Sequence, residues 1–325
     1  MNRSLRPLLA TTTIFILTYV LAIFQFPALL STRVVGNLLT DNAFLGIAAV
    51  GMTFVIISGG IDLSVGAVIG FTTVLNAVLI MWFGLHPLFA FVISLAVAAT
   101  FGAIMGAAIH YLKVPSFIVT LAGMFLARGG ASVLSPDSIG IKHEFYTAIS
   151  KSYILLPGGG RLTVIGMIML AVFAVGIILA HRTRFGSYVY ALGGSETSAA
   201  LMGVPVARTT VLVYMLSATL AGLAGIVFSL YTQAGYSLSA LGVELDAIAA
   251  VVIGGTLLTG GYGFVAGTFI GVMLQGLVQT YIVFDGSLSS WWTKIVIGAL
   301  LFIFILMQRL VFSAASPSRK VLWKS

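Results

Sequence analysis

The sequence predicts an all-α, polytopic helical membrane protein. Two observations carry this. Sixty per cent of the 325 residues are hydrophobic and 7% are charged, with a mean hydropathy of +1.15. Soluble domains carry about 25% charged residues, so this much apolar surface requires lipid as its solvent. The apolar residues also fall into about ten runs, each near the ~20 residues that cross a ~30 Å hydrocarbon core. Such runs are too long for barrel strands, and the alternation of a barrel is absent.

The runs begin near Leu8, Leu38, Ser64, Leu88, Pro115, Leu162, Val211, Asp246, Gly263 and Trp292. The first, Leu8 to Pro27, follows Arg3 and Arg6 as in a signal peptide. It exceeds a signal h-region and no small-x-small cleavage site follows, so a retained first span is expected. The second and third runs are parted by GGIDLSVG, Gly59 to Gly66, where a glycine pair interrupts the helix and Asp62 follows. The loop from Ser135 to Arg161, after the fifth run, carries the turn signals PDS and PGGG. A basic segment, residues 181–210, follows the sixth run. There Ser195 can cap a short helix with Glu196 in its first turn, Gly203 can end it, and Pro205 blocks continuation. Its apolar side is Ala199, Ala200 and Met202. The eighth run opens on Glu244 and Asp246, which suits capping at an interface. Trp82, Tyr231, Trp291 and Trp292 suit an interfacial aromatic belt.

Charge orients the chain. With ten spans and an inside N-terminus, the inside receives Arg3, Arg6, Lys113, Arg182, Arg184, Arg208, Arg309, Arg319, Lys320 and Lys324. The outside receives Arg33, Arg128, Lys142, Lys151, Arg161 and Lys294. That is the positive-inside pattern, which accounts for the net charge of +8 without a nucleic-acid partner. Loop 135–161 is then external, and loop 181–210 and both termini are cytoplasmic. The chain reads as one membrane domain, 1–325.

An internal echo links VIISGGIDLSVGAVIG in the first half to VVIGGTLLTGGYGFVAGTFIG in the second. The copies lie five or six spans apart, and an offset of five makes them an inverted repeat. Broken helices in inverted repeats mark many transporters. The 37 glycines otherwise suit close helix packing.

A charge at mid-membrane costs ~2.5–3.5 kcal/mol, so the intramembrane polar residues deserve a role. They are Asn42, Asp62, Ser64, Asn76, Thr120, Asp246, Thr256, Thr259, Gln275 and Gln279. Asp62 can cap a helix running Leu63 to Phe83. It can equally border a water-filled path, where irregular backbone at depth is tolerated. Catalysis finds little support. There are no cysteines, and His86, His110, His143 and His181 are scattered. HExxH, GxSxG and GxxxxGK[ST] are absent, so no cofactor is expected and any ATP must bind another polypeptide.

GGIDLSVGA (Gly59–Ala67), VPSFIVTLAGMFLARG (Val114–Gly129), RTRFGSYVYALGGSETSAALMGV (Arg182–Val204) and ELDAIAAVVIGGTLLTGG (Glu244–Gly261) together resemble the permease subunits of ribose-type ABC sugar importers. QTYIVFDGSLSSWWTKI (Gln279–Ile295) also resembles the galactofuranose importer permeases of enteric bacteria. The resemblance covers nearly the whole chain. It implies a bacterial inner-membrane location, a periplasmic sugar-binding protein, a cytoplasmic ATPase subunit and a second permease. That second permease would be a paralogue, with a homodimer as the alternative. It also implies that the short helix near Glu196 is the coupling helix, with Arg184, Gly193, Gly194, Ser195, Glu196 and Gly203 expected to serve coupling. Relatives often carry Asn where this chain has Ser195, and both residues cap helices. A neutral sugar needs hydroxyl partners and little charge, so Asn42, Asp62, Ser64, Thr120 and Met124 are expected along its path. The alternatives are an ion-coupled secondary transporter of a small polar solute and a membrane enzyme acting on lipid.

Overall fold

The computed structural model describes residues 6–289 and 291–313. Arg3, Arg319, Lys320 and Lys324, used above for orientation, lie outside the described residues. The helices are α1 (Arg6–Gln25), α2 (Thr32–Asp41), α3 (Ala43–Ile57), α4 (Val65–Met81), α5 (Pro87–Tyr111), α6 (Ser116–Leu134) and α7 (Glu144–Lys151). They continue as α8 (Val164–Arg182), α9 (Arg184–Gly194), α10 (Glu196–Leu201), α11 (Val206–Thr232), α12 (Val243–Ile253), α13 (Val265–Asp285) and α14 (Trp291–Ser313). Among the described residues, strands are confined to short pairs. β1 (Ile139–Gly140) joins β4 (Ala234–Gly235), and β2 (Tyr153–Leu155) joins β3 (Arg161–Thr163), both antiparallel.

Every predicted apolar run is helical, so the polytopic helical fold stands. The count of about ten spans is not reached by length and composition. Six described helices qualify, or seven if α2 and α3, bent by 56° at Asn42, form one span. Breaks shorten the rest: α4 has 17 residues and α12 only 11. α4 lies between Ser64 and Trp82, and α12 between Gly242 and Gly254.

The bundle is built around α3 and α11. Every residue of α3 except Phe44 is buried, as expected of a helix apolar on all sides. α5 lies antiparallel to α11, and its Gly102 and Gly106 set the approach. A Cβ at Gly102 would overlap the Tyr214 carbonyl, and one at Gly106 would lie 2.8 Å from the Val211 Cα. This is the small-xxx-small packing of membrane helices.

The internal echo has a matching cap geometry. α3 ends with Gly59 at φ +86° and Gly60 N–H donating to Val55 O at 3.0 Å. α12 ends with Gly255 at φ +93° and Thr256 N–H donating to Val251 O at 3.2 Å. Glycine takes these left-handed cap positions without a Cβ penalty. The sense is parallel rather than inverted. α3 runs toward its break while α13 runs away from its own, and the two are joined side by side by Thr53 and Thr268 at 2.7 Å. α12 lies antiparallel to α13, with Ala250 against Gly271 and Gly254 against Gly267. Hence α3 and α12 share one direction, which corresponds to the six-span offset.

Candidate functional site

Between α3 and α4 the chain has no regular secondary structure from Gly60 to Ser64. Asp62 is fully buried there. Its Oδ1 accepts from the Ser64 N–H at 2.9 Å and the Ser64 hydroxyl at 2.6 Å, and its Oδ2 accepts from the Ser217 hydroxyl of α11 at 2.8 Å. The expected helix start at Leu63 is corrected: α4 begins at Val65, and its N-cap residue Ser64 makes no side-chain cap bond. Asp62 instead closes the turn ahead of the helix, because it accepts from the backbone two residues on.

α6 clamps the same break. The Ser116 hydroxyl accepts from the Ile61 N–H at 3.3 Å, and Thr120 donates to Ser116 O at 2.9 Å, with Ile61 O at 3.4 Å. The fold therefore brings Asp62, Ser64 and Thr120 together, all buried. Met124 sits one turn further along α6, packed against the main core. Asn42 stands apart, at the joint between α2 and α3.

Arg128, counted with the outside charges, lies within α6 and is half-buried. Its Nη1 donates to Ser237 O at 2.5 Å and Ser239 O at 2.7 Å. Those carbonyls belong to a segment that descends along α4, from Gly235 beside Thr73 to Ala240 beside Gly66. α12 thus starts deep in the bundle rather than at its edge. Glu244, in its first turn, lies against Gly66, and its Oε2 is buried without a hydrogen bond. Arg128 attracts it electrostatically. Asp246 is not an interfacial cap: Lys294 of α14 holds its carboxylate at 2.7 and 2.5 Å.

The basic segment 181–210 folds as two helices. α10 begins after Ser195, whose hydroxyl accepts from the Ser198 N–H at 3.2 Å, and Glu196 sits in its first turn. Gly203, at φ +82°, ends it. These features match the expectation. α9 was not foreseen; Thr183 caps it through the Gly186 N–H at 3.1 Å, and Arg184 opens it, exposed. Ala199 is buried, while Leu201 and Met202 are 86% and 71% exposed. Of the expected apolar side, then, Ala199 faces inward and Met202 outward.

Three glycine pairs meet where α9 reaches the bundle: Gly59–Gly60, Gly193–Gly194 and Gly260–Gly261. The Gly261 N–H donates to Ile57 O at 2.8 Å. A Cβ at Gly193 would overlap Ile57 O, and one at Gly260 would lie 2.8 Å from the Gly59 Cα. Tyr190 of α9 adds a bond from its hydroxyl to Gly263 O at 2.7 Å. Burial pushes that hydroxyl up to about 12, so it stays a donor at physiological pH. One short arm therefore touches both breaks through backbone. No spacing rule announces this, since the pairs are separated by more than a hundred or by dozens of residues.

A cavity of about 820 Å³ opens beside α2, α13 and α14. Asn42 lines it, with Asn37, Asp41, Gln279, Trp291 and Lys294. Asn37 and Trp291 were not foreseen as site residues. The available signal was polar spacing: Asn37 and Asp41, like Gln275 and Gln279, stand four residues apart on one helix face.

Residues 34–305 match the family described as "Branched-chain amino acid transport system / permease component". The chain is 62% identical over 303 residues to the inner membrane ABC transporter permease protein YjfF of Escherichia coli (strain K12), covering 93% of this chain and 92% of that one. It is 36% identical to the fructose import permease protein FruG of Bifidobacterium longum (strain NCC 2705), over 98% and 95% of the two chains. It is 35% identical to the ribose import permease protein RbsC of Bacillus subtilis (strain 168), over 91% and 90%. No solved structure matches the chain.

Proposed function

The chain belongs to the family of ABC-importer permeases, and on that premise we propose that it is the membrane-spanning subunit of a monosaccharide importer of the bacterial inner membrane. The fructose and ribose permeases among its relatives support a monosaccharide as cargo. The Gln279–Ile295 stretch supports galactofuranose. A cytoplasmic ATPase subunit docks on α10, a periplasmic sugar-binding protein delivers the sugar at the 135–161 face, and a second, paralogous permease completes the path. Both termini are then cytoplasmic.

The observation that carries this reading is the α9–α10 arm. α10 is short, capped at both ends and presents Leu201 and Met202 to a partner. Its root, Gly193, sits in backbone contact with both helix breaks. A push on α10 therefore reaches the residues that border the path without passing through flexible side chains. Nucleotide binding in the partner would shift the permease between its two states by that route. Asp62, Ser64 and Thr120 border the path at the first break, with Met124 above them. The ion-coupled alternative needs a carboxylate that titrates against an open path, and Asp62 is enclosed by hydroxyl and amide donors instead.

The coupling role is tested on α10. Glu196 faces Lys113 at 3.7 Å on the surface, a pair of little stabilising worth. Glu196→Arg and Gly203→Pro should leave membrane abundance intact while the ATPase subunit no longer co-purifies and uptake is lost. Proline cannot adopt the positive φ of Gly203. Normal co-purification and uptake in both variants would remove the coupling assignment.

A further inference from the structure

The cavity beside α2, α13 and α14 is separate from the Asp62 break and from the coupling arm. Its volume, about 820 Å³, lies within the roughly 300–1,000 Å³ of small-molecule sites. Its one cation is already paired: Lys294 is held by Asp246, and Asp41 accepts from the neutral Tyr231 hydroxyl at 3.1 Å. Of its four side-chain amides, Asn42 donates to Leu38 O at 2.9 Å and Gln275 to Asp246 O at 3.1 Å, and the other two are free. Asn37 and Gln279 make no side-chain hydrogen bond among the described residues. Gly276 lets the Asn42 amide seat against α13 at the cavity wall, because a Cβ there would overlap that amide. At the rim Trp291 is 76% exposed and lines the cavity.

An amide both donates and accepts, which is what a neutral hydroxyl requires. An anionic ligand would meet a lysine that is already paired and an aspartate facing it. A lipid tail would strand the amides without partners, at a cost for each. The exposed indole offers a flat apolar surface with a polar edge, suited to one face of a sugar ring. We propose that this cavity is a holding site for a single neutral monosaccharide within one permease chain. This rests on the importer reading and adds a site to it.

The absence of cysteine makes the test direct, since an introduced thiol is the only one in this chain. Val283 lines the cavity and is exposed. Val283→Cys is made in the complete importer in membrane vesicles and modified with a small polar methanethiosulfonate, read as a mass shift of this chain. Galactofuranose, ribose and fructose are added in turn, with maltose as an oversized control. The transported sugar should slow modification about fivefold and maltose should not. Gln279→Leu should cut that protection to about twofold at the same sugar concentration and raise the uptake KM about fivefold with little change in Vmax, the effect of one lost neutral hydrogen bond. An unchanged modification rate while ATP-driven uptake continues would overturn the holding site and leave the importer reading intact, as would equal protection by maltose. Uptake of no monosaccharide by the assembled complex would instead remove the importer reading itself.

Discussion

Asp62 uses both carboxylate oxygens inside the protein, and each of its three donors is neutral. Asparagine can keep the two bonds at Oδ1, and the Ser217 hydroxyl can rotate to accept from the new amide. Asp62→Asn should therefore fold and support uptake at close to the parent rate. Asp62→Ala leaves the Ser64 N–H and the Ser217 hydroxyl buried without partners, at about 1–3 kcal/mol each. Its thermal midpoint in detergent should fall by several degrees, with less protein in the membrane. An Asn variant that folds normally yet loses uptake would show that the negative charge itself is required. The sequence made half of this visible. Gly59–Gly60 followed by Asp announces a break and a local acceptor. Ser217 lies 155 positions away in an apolar run and gives no local sign of the contact.

The α9–α10 arm and the two broken helix pairs form one connected unit. Adjacent glycines in it should behave oppositely. A Cβ at Gly193 would overlap Ile57 O and crowd the Gly261 N–H, while one at Gly194 meets nothing within 4 Å. Gly193→Ala should force the breaks apart, costing about 1–3 kcal/mol and uncoupling ATP hydrolysis from uptake. Gly194→Ala should be close to silent in both readouts. Equal effects of the two substitutions on the ratio of sugar imported to ATP hydrolysed would refute a backbone joint at Gly193. α10 was legible because its start and stop signals are local: Ser195, Glu196, Gly203 and Pro205 act within a few residues of one another. α12 was misread for the opposite reason. Glu244 and Asp246 look interfacial in isolation, and only the descent of residues 234–242 along α4 carries them inward, toward Arg128 and Lys294. The same descent explains why Arg128 misled the charge count.

Across the bundle, composition and run length sufficed for the fold class because lipid demands helices with internally satisfied backbone. They did not suffice for the number of full-length spans, since Gly and Ser breaks divide apolar runs that hydropathy alone treats as continuous. The breaks at Gly59 and Gly255 face the same end of the molecule as the α9–α10 arm, the end to which the proposed function assigns coupling. On the proposed function the chain draws its energy from a partner that hydrolyses ATP. Reconstitution tests that dependence most directly. This chain and the proposed second permease, ATPase subunit and binding protein are placed in liposomes without any ion gradient, and uptake of labelled galactofuranose is followed. Uptake should require ATP, persist in the presence of an uncoupler and vanish when the ATPase subunit is omitted. Uptake by this chain without the ATPase, driven by an imposed proton or sodium gradient, would contradict the assignment.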